Sequence, residues 1–260
     1  MMNIQRRWLA VPLAAAAVSG AVSAGNGKGN GNEQEIPFEE ARLFFELNDT
    51  DGDLGIHGLI DGDEWKRLEI EDPNDVRMLD VLVRGRLRRQ GLTEIFFESA
   101  EPPFDELAPS RFFKRFPEGI YDIGGITLDG QELDSEVRLS HVLAAPPANI
   151  RVATIPAAKN CDVEPLPSVS AGPVVIDWDP VTRSHPRIGK SGPVTVDHYE
   201  LVVEREEPKL LVFSVMLPPA RTQFTVPAGF ISLGDSFKFE IIVRATNGNQ
   251  TAVESCFEVE

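Results

Sequence analysis

The sequence is poor in the residues that most chemistry needs. It has two cysteines in 260 residues and four isolated histidines, His57, His141, His185 and His198. No His-Glu-x-x-His occurs, and no cysteine stands at zinc-ligand spacing from a partner, so the common zinc motifs are excluded. No Gly-x-Ser-x-Gly is present for a nucleophilic serine. Gly189-Lys190-Ser191 ends like a phosphate-binding loop, but Ser184 stands where the first glycine belongs, which leaves a surface turn. Basic residues are also scarce, 25 against 41 acidic ones, for a net charge of −16. Such a chain repels nucleic acid and anionic membrane surfaces, so neither is an expected partner. Long apolar runs are absent after the first 24 residues, so no later membrane insertion is expected.

Met1 to Ala24 has the order of a cleavable export signal: Arg6-Arg7, an apolar stretch from Trp8 to Val18, then Val22-Ser23-Ala24. It predicts a secreted or periplasmic protein. Residues 25–32, GNGKGNGN, form a Gly/Asn-rich linker with nothing to bury. The acidic excess is concentrated just beyond, where residues 33–75 carry 15 acids and three bases.

Within that region Asn48 to Glu64, NDTDGDLGIHGLIDGDE, holds six carboxylates and no Lys or Arg. Alternating carboxylates around Gly52 suit a hard cation with many oxygen ligands, and the expected ion is calcium, held by Asp49, Asp51, Asp53 and Asp61. The stretch is not an EF-hand. With Asp49 first, Leu54 falls where the loop needs glycine and Ile60 where it needs a bidentate glutamate. Asp-Gly pairs also make tight turns without metal, so a pair of acidic hairpin turns is the alternative.

Short apolar runs broken by turn residues recur along the rest of the chain and predict an all-β protein of two tandem β-sandwich domains. The first, residues 33–145, has strands at Arg42–Leu47, around Trp65–Ile70, from Leu79 to Arg88 and at Ile95–Phe97. One short helix is expected after Pro103, and a hairpin turns at Asp129-Gly130. Arg84, Arg86 and Arg88 alternate with apolar residues and are expected to pair across strands with Glu69 and Glu71. Pro146-Pro147 marks the boundary. Residues 148–260 then offer seven short strands, enough for a sandwich of immunoglobulin type.

Trp178-Asp179-Pro180, Tyr199 in HYELVVE, and the run from Gly234 to Gly248 with Phe239, Ile241 and Val243 alternating resemble a fibronectin type III domain. The resemblance implies that Trp178 fills the core between two sheets, while Phe237 stands where the family usually has the tyrosine of a tyrosine corner. It also implies that Cys161 and Cys256 lie on neighbouring segments, and export makes a Cys161–Cys256 disulfide the expected state. The first unit resembles secreted bacterial proteins that carry a similar acidic block ahead of a type III domain. Asn48-Asp49-Thr50 and Asn249-Gln250-Thr251 match the glycosylation sequon, without meaning in a bacterial setting.

Taken together, the expectation is a non-enzymatic binding or adhesion module that meets a protein or carbohydrate ligand. A structural spacer of the envelope, or an accessory subunit of a secreted hydrolase, is the alternative.

Overall fold

The computed structural model describes residues 35–260, so the expected export signal and the expected linker at 25–32 lie outside the described residues. The chain opens with β1 (Glu40–Asn48), in which Leu43, Phe45 and Leu47 point to one face and Phe44, Glu46 and Asn48 to the other. Most of the strand is buried on both faces, which marks it as central rather than edge. It reverses over Asp49–Gly52, where Gly52 takes φ +72° and the Asn48 side-chain oxygen accepts the backbone N–H groups of Thr50 and Asp51 at 3.0 and 3.1 Å. The chain returns as β2 (Asp53–Glu71), nineteen residues long.

Here the sequence expectation is corrected. Most of the acidic stretch is strand, and only its first four residues after Asn48 form the turn. The ladder between β1 and β2 runs from Asn48–Asp53 to Glu40–Asp61. β2 then bends, with its register against neighbouring strands shifting between Asp61 and Arg67. Before the bend it pairs with β4 (Leu92–Glu98), and beyond it with β3 (Arg77–Leu82) and β5 (Gly119–Thr127). β5 closes a hairpin with β6 (Glu132–Leu139).

Two short helices interrupt the strands, α1 (Leu87–Gln90) and α2 (Pro109–Arg115). The second starts on a proline and buries Phe112 against Phe45, as an amphipathic turn after Pro103 requires. Arg84, Arg86 and Arg88 fall beyond the end of β3, so they do not pair with Glu69 and Glu71. Arg67 and Arg77 take those carboxylates instead, because they stand in register on β2 and β3. A core of Phe38, Phe45, Trp65, Leu68, Ile70 and Tyr121 fills the first sandwich.

The second sandwich comprises β7 (Ala148–Val152), β8 (Ile155–Pro156), β9 (Ser168–Val169), β10 (Val174–Asp179), β11 (Val196–Arg205), β12 (Leu211–Leu217), β13 (Gln223–Val226), a one-turn α3 (Ala228–Ile231), β14 (Ser236–Ala245) and β15 (Gln250–Val259). One sheet is ordered β13-β10-β7-β8 and the facing one β12-β11-β14-β15. Three main strands opposite four is the fibronectin type III arrangement. Trp178 is buried between them, 5.4 Å edge-on from the Tyr199 ring, and the Tyr199 hydroxyl accepts the Val181 N–H at 2.9 Å. Phe237 has no hydroxyl to return to the chain, and it stacks on Phe257 at 5.4 Å instead. Cys161 and Cys256 are joined as a disulfide with their Cα atoms 5.0 Å apart.

The two sandwiches share a sheet. β1 lies parallel to β15, with Glu46, Leu47 and Asn48 opposite Gln250, Thr251 and Ala252. One eleven-stranded sheet therefore runs β12-β11-β14-β15-β1-β2-β5-β6, with β3 and β4 on β2 and β9 on β15. Both sequon asparagines are buried at this seam. Asn249 accepts the Phe45 N–H at 2.9 Å and donates to the Ser140 and Val142 carbonyls at 2.7 and 2.9 Å. Asn48 donates to Glu254 at 2.5 Å. The segment expected to open an inter-domain joint is likewise packed in: Leu143 and Ala144 are fully buried, and the Ala144 carbonyl accepts the Thr251 hydroxyl at 2.9 Å. The loop between β10 and β11 also crosses to the first half, where Ile188 joins the core and Lys190 pairs with Glu118.

Candidate metal centre and the acidic sheet face

The four aspartates expected to hold calcium sit in different surroundings. Asp49 accepts His185 Nε2 at 2.9 Å, a bond between the sandwiches. Asp51 is exposed at the tip of the turn. Asp53 opens β2 and is 8 % exposed. Asp61 stands eight residues further along β2, opposite Glu40 and Glu94. At the rise of an extended strand that is about 26 Å from Asp53. Asp49, Asp51 and Asp53 share one turn, and Asp61 does not approach them.

A different set of side chains converges. Residues 53, 55 and 57 of β2 point to one face, the outward face of the shared sheet, so Asp53 and His57 flank Gly55 there. Across the ladders, Glu46 of β1 lies opposite Gly55, and Glu98 at the end of β4 lies opposite His57. Glu101, three residues past β4, folds back over Gly55. A Cβ on Gly55 would lie 1.9 Å from its Oε1, so the carboxylate occupies the space a side chain would take. The His57 Nε2 and Glu101 Oε1 atoms are 2.9 Å apart, and the Nδ1 atom faces Glu46 Oε2 at 3.9 Å. One donor atom each from His57, Glu98 and Glu101 falls within 4.8 Å of the others.

Four carboxylates around one imidazole perturb one another. Burial pushes the Glu46 carboxyl up to about 7, against the pull of His57. Burial also raises Asp53 to about 7, helped by the charges of Glu101 and Asp51. One buried Asp53 oxygen, Oδ1, has no hydrogen-bond partner. Burial opposes the charged form of His57, but the Glu101 bond and the surrounding carboxylates outweigh it and the ring's pKa is raised. Glu98 is raised by burial as well.

The same outward face continues across the seam. Alternation places Glu254 on β15, Lys238, Glu240 and Arg244 on β14, Glu200 and Glu204 on β11, and Val212, Ser214 and Met216 on β12 along it. Lys238 pairs with Glu254, and the Arg244 guanidinium lies over the Phe44 ring at 5.1 Å from its centre. Phe96, Val212 and Met216 are among its exposed apolar side chains. The face is acidic at its middle with apolar groups toward both ends.

His57, Glu98 and Glu101 were not among the residues picked out by spacing. The available signal was period two. Once Asp53–Glu71 is recognised as strand, Asp53, Gly55 and His57 share a face, and the carboxylate ending the adjacent apolar strand falls beside them.

Neither a protein-family model nor a curated protein matches the sequence. Solved structures that match include one on host cell surface retention of a 1.5-MDa bacterial ice-binding adhesin, at 13 % identity over 87 % of this chain, with a TM-score of 0.25. This chain spans 66 % of that adhesin structure's length. A two-domain fibronectin type III segment of chicken tenascin matches at 10 % identity over 85 % of this chain and 98 % of its own, with a TM-score of 0.28. The FN1–FN3 domains of chicken CNTN1 match at 8 % identity over 87 % of this chain and 68 % of their own, with a TM-score of 0.33. No helix among the described residues is long and apolar enough to cross a membrane.

Proposed function

We propose that this chain is an exported, non-enzymatic binding or adhesion module whose ligand, a protein or a carbohydrate, docks on the outward face of the shared sheet. The observation that carries the reading is the seam. By hydrogen-bonding β1 to β15, it turns two sandwiches into one body and makes their outward faces a single surface. An extended sheet face, acidic at its middle with apolar groups at its ends, is suited to a macromolecular ligand rather than a small one buried in a cleft. Binding to a panel of immobilised glycans and extracellular proteins tests this. Retention on at least one of them should be lost in Glu200→Lys with Met216→Ala, without turnover of the ligand. Hydrolysis of a polysaccharide or peptide by the purified chain, or no retention on any of them, would count against it.

The finer part of the reading is calcium at the acidic turn, with Asp49 and Asp51 as the carboxylates on the turn itself and Asp53 at its edge, facing the His57 side of the sheet. Extracellular calcium modules bind at about 10⁻⁴–10⁻³ M. Millimolar calcium should then stabilise the protein by roughly 0.4–1.4 kcal/mol. Asp49→Asn with Asp51→Asn should remove that shift.

A further inference from the structure

We propose that His57, Glu98 and Glu101, with Asp53 beside them, form a site for a first-row transition metal ion of the zinc class, separate in chemistry from the calcium turn. The donor set is the first argument. One imidazole nitrogen with two or three carboxylate oxygens suits zinc and its neighbours, whereas calcium takes six to eight oxygens. Proximity is the second. The three donor atoms already lie within 4.8 Å of one another, and donors around a tetrahedral zinc are separated by about 3.4 Å, from bond lengths near 2.1 Å. Glu98 stands exposed at the end of β4, and its side chain would have to close the difference.

Asp53 supplies an independent observation. Its residue is 8 % exposed, it shares a strand face with His57, and its buried Oδ1 has no hydrogen-bond partner. A buried carboxylate oxygen with no donor, on the same strand face as His57 and under the charge of Glu101, is unfavourable unless a proton or a cation completes it. The orientation of the imidazole agrees. Nδ1 faces Glu46 at 3.9 Å and Nε2 faces Glu101 at 2.9 Å. At 3.9 Å the Glu46 contact is too long for a hydrogen bond, so an ion at Nε2 would replace the proton shared between Nε2 and Glu101 and leave Nδ1 turned toward Glu46. Gly55 makes the space, since any larger residue would exclude Glu101. An ion there would tie β2, β4 and the segment after β4 together on the binding face.

The inference does not depend on what the face binds. It is tested by calorimetric titration of the EDTA-stripped full chain with zinc chloride and, separately, with calcium chloride, alongside thermal melts. Zinc should bind with one site per chain and raise the melting temperature. Glu98→Gln should weaken zinc at least tenfold while leaving the melt without metal unchanged or slightly higher, because it removes a charge from beside Glu101. His57→Gln should abolish zinc binding without affecting any calcium shift, and Asp49→Asn with Asp51→Asn should do the reverse. Cobalt(II) offers a second readout, because its visible spectrum changes when a nitrogen ligand enters, and that change should vanish in His57→Gln. No zinc binding by the wild type at 1 mM (an upper limit of about −4 kcal/mol), or zinc binding of full strength in both Glu98→Gln and His57→Gln, would overturn the assignment.

Discussion

Asn249 should be among the most sensitive positions in the molecule, although it contacts no ligand. Its side chain is fully buried and makes three hydrogen bonds across the seam, to the Phe45 N–H and to the Ser140 and Val142 carbonyls. Val142 has a second donor in Asn247 at 2.8 Å, so Asn249→Ala orphans two groups, the Phe45 N–H and the Ser140 carbonyl. A buried polar group left unsatisfied costs about 1–3 kcal/mol, so the pair should cost about 2–6 kcal/mol. That is a large share of the 5–15 kcal/mol typical of a native protein. Asn247→Ala removes the redundant Val142 bond and a longer one in which its side-chain oxygen accepts the Asn249 N–H at 3.2 Å, leaves one group unpaired, and should cost about 1–3 kcal/mol. Urea unfolding followed by tryptophan fluorescence is the assay, because Trp65 and Trp178 report separately on the two cores. Asn249→Ala should lower the midpoint and separate the two transitions. A loss under about 1 kcal/mol with a single transition would mean that the seam does not couple the sandwiches, and the reasoning would fail.

A fragment beginning at Ala148 should keep its own core and melt cooperatively, but it should self-associate, since removing β1 exposes the β15 edge around Gln250–Ala252. A monomer at all concentrations in ultracentrifugation, or no cooperative melt, would count against that. Cys161→Ser with Cys256→Ser should lower stability by roughly 4–5 kcal/mol in the chain-entropy model for a separation of 95 residues, measured by urea unfolding without reductant. Burial, and next the charges of Glu46 and Glu254, raise the Glu240 carboxyl well above its ordinary range, with Glu204 adding to this and Lys238 opposing it. A carboxyl raised in the folded state contributes stability that is present below its unfolded value, about 4.3, and lost as pH rises toward its folded value. Glu240→Gln should therefore raise the melting temperature at pH 8 and change it little at pH 4.

Most of the second sandwich could be read directly from the chain. Phe237, Phe239, Ile241 and Val243 alternate because one face of β14 meets the core and the other does not, and period two is a local signal. The Asp49–Gly52 and Asp129-Gly130 turns were equally visible, since Gly52 and Gly130 adopt the positive φ that such turns need. The seam was not visible. Leu47 and Thr251 are 204 positions apart in sequence, and nothing in either strand's composition selects a parallel partner over water until both are placed. Its one sequence trace, two asparagines inside sequons, carries the opposite suggestion of exposure. The calcium set failed at Asp61 for a related reason. A run of Asp and Gly has the composition of a loop, and tertiary pairing on both edges overrode it.

The glycines that made β2 resemble a loop are what allow it to be a strand here. A Cβ on Gly58 would sit 2.4 Å from the Phe97 ring, and one on Gly62 would sit 2.9 Å from Phe38, so each is a seat for a neighbouring side chain. Gly55 is the seat for Glu101, and this gives the metal assignment a test that touches no ligand. Gly55 is not in the positive-φ region, so alanine is compatible with its backbone. The atom in the way is the far end of a flexible side chain, which can swing aside. Gly55→Ala should therefore fold, with stability within about 1 kcal/mol of the parent, since strand alanine loses less chain entropy than glycine. It should nevertheless displace Glu101 from His57 and weaken zinc at least tenfold. The melt and the zinc titration of that single variant decide the matter: if it folds and binds zinc at parental strength, Glu101 is not a ligand and the site is not the one described.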